Sequence, residues 1–214
     1  MILIIDYGMG NLRSVEKAFH KLGFSAKVSS QKAELEKAKG IVLPGVGAFG
    51  DCIRNLKELG LIERIREFIK AGRPYLGICL GYQILFDESE EFGKSKGLGI
   101  FAGRVKKFSD QMPDPSASRG AFLKVPHMGW NQIEKKKEHP VLEGIESGSS
   151  FYFVHSYYPV PEDQSLITTE TEYGIKFASS IGKGKLFACQ FHPEKSQANG
   201  LALLKNFGKM VEDK

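Results

Sequence analysis

The stretch Pro74-Tyr75-Leu76-Gly77-Ile78-Cys79-Leu80-Gly81 decides the fold that we expect for this chain of 214 residues. Residues 74–78 form a short apolar run, which is typical of a buried strand. The apolar residues that come next have the spacing of a helix start: Leu80, Ile84, Leu85 and Phe86. A strand that turns directly into a helix through Gly-x-Cys-x-Gly predicts a nucleophile elbow, with Cys79 as the nucleophile.

The glycines of this motif have a physical reason. A sharp turn brings backbone segments close together, so a side chain at Gly77 or Gly81 would clash. The start of a helix favours the thiolate form of Cys79. The backbone N–H of Leu80 is placed to donate to an oxyanion.

A free cysteine is more often a small core residue than a nucleophile. Cys52, beside Ile53 on a predicted helix, and Cys189, inside an apolar strand, fit that interpretation. Cys79 does not, because core packing leaves the flanking glycines unexplained. Three cysteines without paired spacing indicate a reducing compartment, so we expect a cytoplasmic protein.

The segment Gln190-Phe191-His192-Pro193-Glu194 supplies a base and a group to orient it. Residues 185–191 are predicted to form a strand that Pro193 ends. Since residues i and i+2 of an extended segment point to one side, Glu194 is expected to hold the imidazole of His192. The other histidines are expected to be structural: His20, His127, His139 and His155.

A glycine-rich loop over residues 44–50 follows a strand-like run over 40–43. Such a loop exposes backbone N–H groups. The Gly-Lys-Ser/Thr ending of a phosphate-binding loop is absent, which leaves a tight turn or half of an oxyanion hole. We favour the oxyanion hole, with Val46 and Gly47 as donors, because the nucleophile needs one. Asp51 is expected to cap the helix that follows.

The first loop, over residues 6–11, follows a predicted strand over 1–6. Gly8 and Gly10 begin a dinucleotide-binding pattern, but Arg13 occupies its last position. We therefore expect no NAD or FAD, and the absence of Cys/His pairs with zinc spacing predicts no metal. Asn11 is expected to cap a helix over 12–22.

Three motifs in this order resemble the class I (triad) glutamine amidotransferases: Pro-Gly-Val-Gly at 44–47, Gly-Ile-Cys-Leu-Gly at 77–81 and His-Pro-Glu at 192–194. Residues 6–12, 127–131 and 151–157 resemble, more narrowly, the glutaminase subunits of imidazole glycerol phosphate synthases. The resemblance covers essentially the whole chain. It implies one glutamine amidotransferase type-1 domain over residues 1–214, with a flavodoxin-like fold.

This resemblance implies that Cys79 attacks the side-chain amide of glutamine and that the ammonia passes through a tunnel to a partner. Gln83 matches a position beside the substrate. The implied partner is a HisF-type (β/α)8-barrel cyclase, with which the chain would form a heterodimer in histidine biosynthesis. Trp130, Tyr152 and Lys195 are expected at this interface or at the ammonia exit.

Other functions stay open. A related glutaminase could serve another synthase, of the anthranilate type or in surface-sugar synthesis. A chain of this fold could also be a non-catalytic interaction module, although the intact Cys79, His192 and Glu194 argue against that. A cysteine hydrolase of peptides is a third alternative, and no motif suggests an extended substrate groove.

Charge and hydropathy exclude little more. The formal net charge is +5, and the densest basic run, at 135–137, lies between glutamates without interleaved aromatic residues. This run predicts a solvated hairpin turn better than a nucleic-acid site. No apolar run reaches the length of a membrane span, and the start of the chain lacks the basic residues of a signal peptide.

The order of predicted elements indicates an α/β fold. Strands over 1–6, 26–29, 40–43 and 74–78 alternate with helices, which predicts a central, mostly parallel or mixed sheet flanked by helices. Later segments predict additional antiparallel strands in the second half: 101–108, 122–127, 151–157, 166–171, 177–181 and 185–191. The segment 111–120 is expected to be a loop. A closing helix carries Leu201, Leu204, Phe207 and Val211.

Overall fold

The computed structural model describes residues 1–114 and 121–213. In chain order its strands are β1 (Ile2–Ile5), β2 (Ala26–Ser29), β3 (Gly40–Gly45), β4 (Tyr75–Cys79), β5 (Phe86–Ser89), β6 (Ser95–Lys96), β7 (Phe101–Lys107), β8 (His127–Gln132), β9 (Glu134–Lys135), β10 (Ser150–His155), β11 (Tyr157–Pro161), β12 (Ile167–Tyr173), β13 (Ile175–Lys183) and β14 (Leu186–Cys189). Its α-helices are α1 (Leu12–Lys21), α2 (Lys32–Lys37), α3 (Phe49–Glu58), α4 (Ile62–Lys70), α5 (Leu80–Gln83) and α6 (Gln197–Glu212). Short 3-10 turns lie at Pro140–Leu142, Gln164–Leu166 and Pro193–Lys195.

The main sheet has eight strands in the order β2-β1-β3-β4-β14-β13-β12-β9. The pairings from β2 to β14 are parallel, and β13, β12 and β9 extend the sheet with antiparallel pairings. A four-stranded sheet, β11-β7-β5-β6, and the antiparallel pair β10-β8 lie beside it. The predicted α/β class, with a mixed sheet and antiparallel additions in the second half, is confirmed.

Strand β1 shows why the parallel strands are apolar along their whole length. Ile2 and Ile4 pack into the core that holds α1 and α6, while Leu3 and Ile5 pack into the core that holds α2 to α5. Side chains alternate between the two faces, and both faces are covered by helices. Full burial of one such side chain contributes about 1.5–3 kcal/mol. The two cores therefore hold in place the strand ends from which the candidate site emerges.

Two expected elements differ. The prediction of a strand over 122–127 is wrong, because Pro126 has no N–H to donate and pairing in β8 begins only at His127. Before it, Phe122 makes a single bridge to Pro113. The basic run at 135–137 is not a solvated hairpin turn, since Lys135 belongs to β9 and pairs with β12. Of the expected loop over 111–120, residues 115–120 lie outside the described residues.

Of the two predicted helix caps, Asn11 is confirmed in position but not in its side-chain bond, and Asp51 is wrong. Asn11 occupies the cap position of α1, but its side chain makes no capping hydrogen bond. Helix α3 begins at Phe49, before Asp51, which instead forms an ion pair with Arg54 at 2.8 Å. The helix boundaries are thus set by packing and by distant residues more than by the local capping pattern.

The helix predicted after Cys79 is far shorter than expected. Helix α5 ends at Gln83, and the chain enters β5 at Phe86. Ile84 and Leu85 are fully buried, and their carbonyls accept hydrogen bonds from the N–H groups of residues 98, 100 and 101. An apolar run that is buried on all sides cannot be told from a helix stripe by its spacing. The prediction that Ile84, Leu85 and Phe86 continue the helix that starts at Leu80 is therefore wrong.

The elbow glycines have the expected role. A Cβ atom on Gly77 would lie 2.5 Å from the carbonyl oxygen of Gly81, and one on Gly81 would collide with the carbonyl of Leu43. The turn therefore needs the absence of side chains at both positions. Tyr75 stabilises it further, because its hydroxyl donates to the carbonyl of Gly81 at 2.7 Å.

Gly81→Ala is expected to destabilise the protein by about 2–3 kcal/mol, since the added methyl overlaps the backbone at Leu43. Gly23→Ala is the matched control, because Gly23 has a positive φ of 86° but nothing within 4 Å of its added Cβ. Its cost should be about 1–2 kcal/mol, from the backbone conformation alone. Urea unfolding measures both. A cost at Gly81 below that at Gly23 would contradict the steric account of the elbow.

Candidate active site

Cys79 lies at the turn between β4 and α5. Its φ is 54° and its ψ is −104°, a conformation that residues other than glycine rarely adopt. The β3–β4 ladder pairs Gly45 with Cys79, which places the glycine-rich loop beside it. Cys79 is 7% exposed, whereas Cys52 and Cys189 are fully buried, as expected of core residues. Cys79 is therefore the cysteine that reaches a cavity.

His192 and Glu194 meet, although not through an extended segment. Nδ1 of His192 lies 2.9 Å from Oε1 of Glu194, and both side chains are 2% exposed. The expected extended geometry is wrong, because Pro193–Lys195 forms a 3-10 turn. This turn is fixed on two sides. The His192 N–H donates to the carbonyl of Tyr152 at 2.9 Å, and the Ser196 hydroxyl donates to the His192 carbonyl at 2.6 Å.

The pKa of His192 is raised, although burial alone would lower it. The charge of Cys79 beside the ring is the largest cause of the increase, and Glu194 adds to it. The imidazolium form of His192 is therefore favoured beside Cys79. Nε2 of His192 has no partner in full hydrogen-bond geometry among the described residues. A proton on this atom is available to a group that enters the site.

The helix after Cys79 contributes less electrostatic stabilisation to the elbow than the sequence suggested. Helix α5 has only four residues, and a helix this short adds little charge stabilisation at its start. The expectation that a helix start stabilises the Cys79 thiolate is therefore weakened. The positive charge beside Cys79 is that of the His192 imidazolium.

A cavity of about 250 Å³ opens at Cys79. The predicted oxyanion donors Val46, Gly47 and Leu80 line the same cavity. Leu80 is the first residue of α5, so its N–H has no acceptor within the helix. Gly47 adopts a positive φ of 104°, which turns the loop beside the cavity. The arrangement places these three residues beside the nucleophile, where an oxyanion hole has to lie.

Gln83 is 5% exposed and also lines this cavity. Its amide nitrogen donates to the carbonyl of Tyr157 at 2.9 Å and to Oε1 of Gln190 at 3.1 Å. Both amide protons are thus in use, which orients the Gln83 Oε1 atom as an acceptor. Gln190, which sequence analysis did not single out, donates from its Nε2 to the Cys79 sulfur at 3.5 Å.

Glu91 is a second residue that sequence analysis missed. It lines the cavity, and its Oε2 accepts the backbone N–H of Phe49 at 2.6 Å. It thereby caps α3 in place of Asp51. Burial raises the pKa of this carboxyl group, although the hydrogen bond from Phe49 opposes the increase. Glu91 and Phe49 are 42 residues apart in the chain, so no local sequence pattern could have identified this contact.

Strands β8 and β10 present an apolar outer face, which consists of Met128, Trp130, Tyr152 and Val154. Met128 is 62% exposed and Trp130 is 50% exposed. The rings of Trp130 and Tyr152 meet edge to face at 6.2 Å, and the Lys195 ammonium lies 5.6 Å from the centre of the Tyr152 ring. Of the three residues expected at an interface, Trp130 and Tyr152 therefore lie on this outer face and Lys195 lies beside it. Val154 also lines the cavity, so the face adjoins the candidate site.

The described residues contain neither a candidate metal-binding group nor a candidate membrane-spanning helix. No group of three or more His, Cys, Asp or Glu side chains there could hold a metal ion. Within the same part of the chain, no helix has the length and hydropathy that crossing a membrane requires.

The sequence pattern of the family Glutamine amidotransferase class-I matches residues 3–211 of the chain. A protein of Syntrophotalea carbinolica named imidazole glycerol phosphate synthase subunit HisH is 53% identical over 210 residues, which cover 98% of this chain and 100% of that protein. A protein of the same name from Geobacter sulfurreducens is 52% identical, with 98% of both chains covered.

Solved structures agree on the fold. A crystal structure of a glutamine amidotransferase has a TM-score of 0.71 at 21% identity and covers all of both chains. PurLQS from Thermotoga maritima has a TM-score of 0.70 at 18% identity, with 99% of this chain and 96% of that chain covered. At these identities the likeness concerns the fold alone.

Cys79→Ala should lower the pKa of His192 more than Glu194→Gln does, because the Cys79 charge is the larger cause of its increase. In the unchanged protein the ring should keep its proton above the ordinary pKa of about 6.5. Without the thiolate, burial dominates and the ring should lose its proton at lower pH. NMR titration of the ring gives the pKa of His192 in the unchanged protein and in both variants. A wild-type ring that titrates at or below about 6.5 would contradict the ion pair.

Proposed function

The chain belongs to the class-I glutamine amidotransferase family, and from this premise we propose that Cys79, His192 and Glu194 carry out its glutaminase reaction. Relatives of about 50% identity over nearly the full length support the role of glutaminase subunit of an imidazole glycerol phosphate synthase, in histidine biosynthesis. The observation that carries the residue assignment is the buried contact of His192 and Glu194 beside a cysteine with a positive φ. The match over residues 3–211 supports a single glutamine amidotransferase domain over 1–214.

In the proposed reaction the Cys79 thiolate attacks the side-chain amide carbon of glutamine. The amide oxygen becomes an oxyanion, which the N–H of Leu80 and an N–H at Val46 or Gly47 stabilise. The His192 imidazolium gives its proton to the amide nitrogen, ammonia leaves, and a glutamyl thioester remains on the sulfur. His192 then takes a proton from water, which attacks the thioester. Glutamate leaves and the thiolate is restored.

Two cavity residues fit the polar ends of glutamine. The Gln83 Oε1 atom is an acceptor, because both protons on its amide nitrogen are already used. The Glu91 carboxylate is suited to pair with the α-ammonium group of an amino acid. Oε2 of Glu91 already accepts the N–H of Phe49 at the start of α3, so the side chain would lose little further conformational freedom when it pairs. These contacts support an amino acid, rather than a peptide, as the substrate.

The outer face of β8 and β10 is proposed as the docking surface for a HisF-type (β/α)8-barrel cyclase. An exposed apolar patch with a half-exposed tryptophan is typical of an interface centre. Lys195 is proposed to form an ion pair across this interface, and Tyr152 to lie beside the ammonia exit, because its carbonyl is bonded to His192. Three free cysteines support a cytoplasmic location for such a heterodimer.

Cys79→Ala is expected to abolish ammonia release from glutamine, because no other thiol lines the cavity among the described residues. The assay measures the rate at which ammonia or glutamate forms, with and without the cyclase and its nucleotide. His192→Ala should be more damaging than Glu194→Ala, because the proton carrier matters more than the group that orients it. Full ammonia release by Cys79→Ala, or the opposite ranking, would contradict the assigned roles.

Trp130→Ala is expected to weaken binding of the cyclase by about 30-fold or more, which is the cost of losing an interface hot spot. Ile175→Ala is the control, because Ile175 is 37% exposed on another strand, β13. Calorimetric titration of each variant with the cyclase gives the two dissociation constants. An unchanged constant for Trp130→Ala would place the docking surface elsewhere.

A further inference from the structure

A continuous chain of hydrogen bonds runs from strand β8 to the Cys79 sulfur. We call it the amide–histidine relay, and its members are Asn131, His127, His155, the carbonyl of Tyr157, Gln83 and Gln190. Asn131 Nδ2 lies 3.1 Å from His127 Nε2, and His127 Nδ1 lies 3.0 Å from His155 Nε2. His155 Nδ1 lies 2.9 Å from the Tyr157 carbonyl. From there the relay continues through Gln83 to Gln190, whose Nε2 reaches the sulfur.

The acceptors in this relay fix the position of every ring proton. A carbonyl can only accept, so Nδ1 of His155 carries a proton. Burial lowers the pKa of His155 to about 3 and that of His127 to about 4, so both rings are neutral. The bare Nε2 of His155 therefore accepts from Nδ1 of His127. The bare Nε2 of His127 then accepts from Asn131, so each ring nitrogen of the two histidines has a partner.

The surroundings make this relay rigid. Aromatic side chains enclose the two rings: Phe108, Phe153, Tyr158, Tyr173 and Phe177. In such a low-dielectric setting, satisfied polar groups hold a single arrangement and a missing partner is costly. A purely structural pair of histidines would need no link to the active site. This pair bonds the one carbonyl that also holds Gln83.

We propose that Gln190 is a further catalytic residue, which holds the Cys79 sulfur for attack, and that His155 and His127 are positioning residues that act through Gln83. Gln190 is fully buried, and each end of its amide has one partner, Gln83 on the oxygen and Cys79 on the nitrogen. A flip of this amide would turn an oxygen toward the thiolate. The relay prevents the flip, because the Gln83 N–H donates and needs the oxygen of Gln190, rather than its nitrogen, as its partner. This role deepens the proposed function, on which it rests.

The relay begins on the strand pair that carries the outer face. His127 and His155 are directly paired in β8 and β10, and both point inward. The next residues on these strands, Met128 and Val154, belong to the outer face. A partner that shifts β8 against β10 would therefore move the rings and, through them, the amide on the sulfur.

The test uses iodoacetamide and the isolated chain, since the thiolate displaces iodide to form a thioether without glutamine or a partner. Gln190→Met keeps the shape of the side chain and removes the donor, so alkylation of Cys79 should slow about ten- to hundredfold, as for a lost hydrogen bond to a charged group. His155→Phe should slow it as well. His139→Phe is the matched control, because His139 is buried outside the relay, and it should leave the rate unchanged.

The double variant decides whether His155 acts through Gln190. If it does, adding His155→Phe to Gln190→Met should have no further effect on the rate. Additive effects, or an unchanged rate in Gln190→Met, would overturn the proposal. If the unchanged chain instead reacts normally with iodoacetamide but does not hydrolyse glutamine when its cyclase is present, the proposed function fails and the relay does not.

A second measurement needs no variant. Nitrogen-15 NMR of the ring atoms should find both His127 and His155 neutral, with the proton on Nδ1. A proton on Nε2 of either ring would break the relay and overturn the proposal, even if His155→Phe did not fold.

Discussion

The backbone at Cys79 has a φ of 54°, and the arrangement of the site depends on this one strained residue. A non-glycine residue in such a conformation costs about 1–3 kcal/mol and persists only where its surroundings enforce it. Here the surroundings are backbone atoms. Gly77 and Gly81 pass so close to neighbouring carbonyls that neither tolerates a Cβ, and strands on both sides hold β4 in register. The sheet therefore provides the free energy that keeps the sulfur at the cavity.

Once the turn is fixed, side chains rather than a helix surround the sulfur of Cys79. Helix α5 is a single turn, and the groups that face Cys79 are the ring of His192 and the amide of Gln190. Both come from one segment after β14, which pairs in parallel with β4. Neighbouring parallel strands end at the same edge, so the nucleophile and its partners meet there. Glu194 and the carbonyl of Tyr152 then fix the ring, and Gln83 fixes the amide.

The features that the sequence predicts are those with local causes. Flanking glycines identify the elbow, and the two-residue spacing of His192 and Glu194 identifies their contact, although the backbone between them is a 3-10 turn. Glu91 and Gln190 are different, because their partners Phe49 and Cys79 are 42 and 111 residues away. The spacing of residues along the chain does not reveal contacts between positions so far apart. The length of α5 was also not predictable, since burial on all sides removes the stripe that distinguishes a helix.

The central claim is that the strained Cys79 forms a covalent link to glutamine. The most direct measurement is peptide mapping by mass spectrometry after the chain, with its cyclase partner, is quenched in acid during turnover of glutamine. The account predicts a glutamyl group, attached with loss of ammonia, on the peptide that contains Cys79 and on no other peptide. Sustained glutamine hydrolysis with an unmodified Cys79 peptide, or with the glutamyl group on another residue, would contradict it.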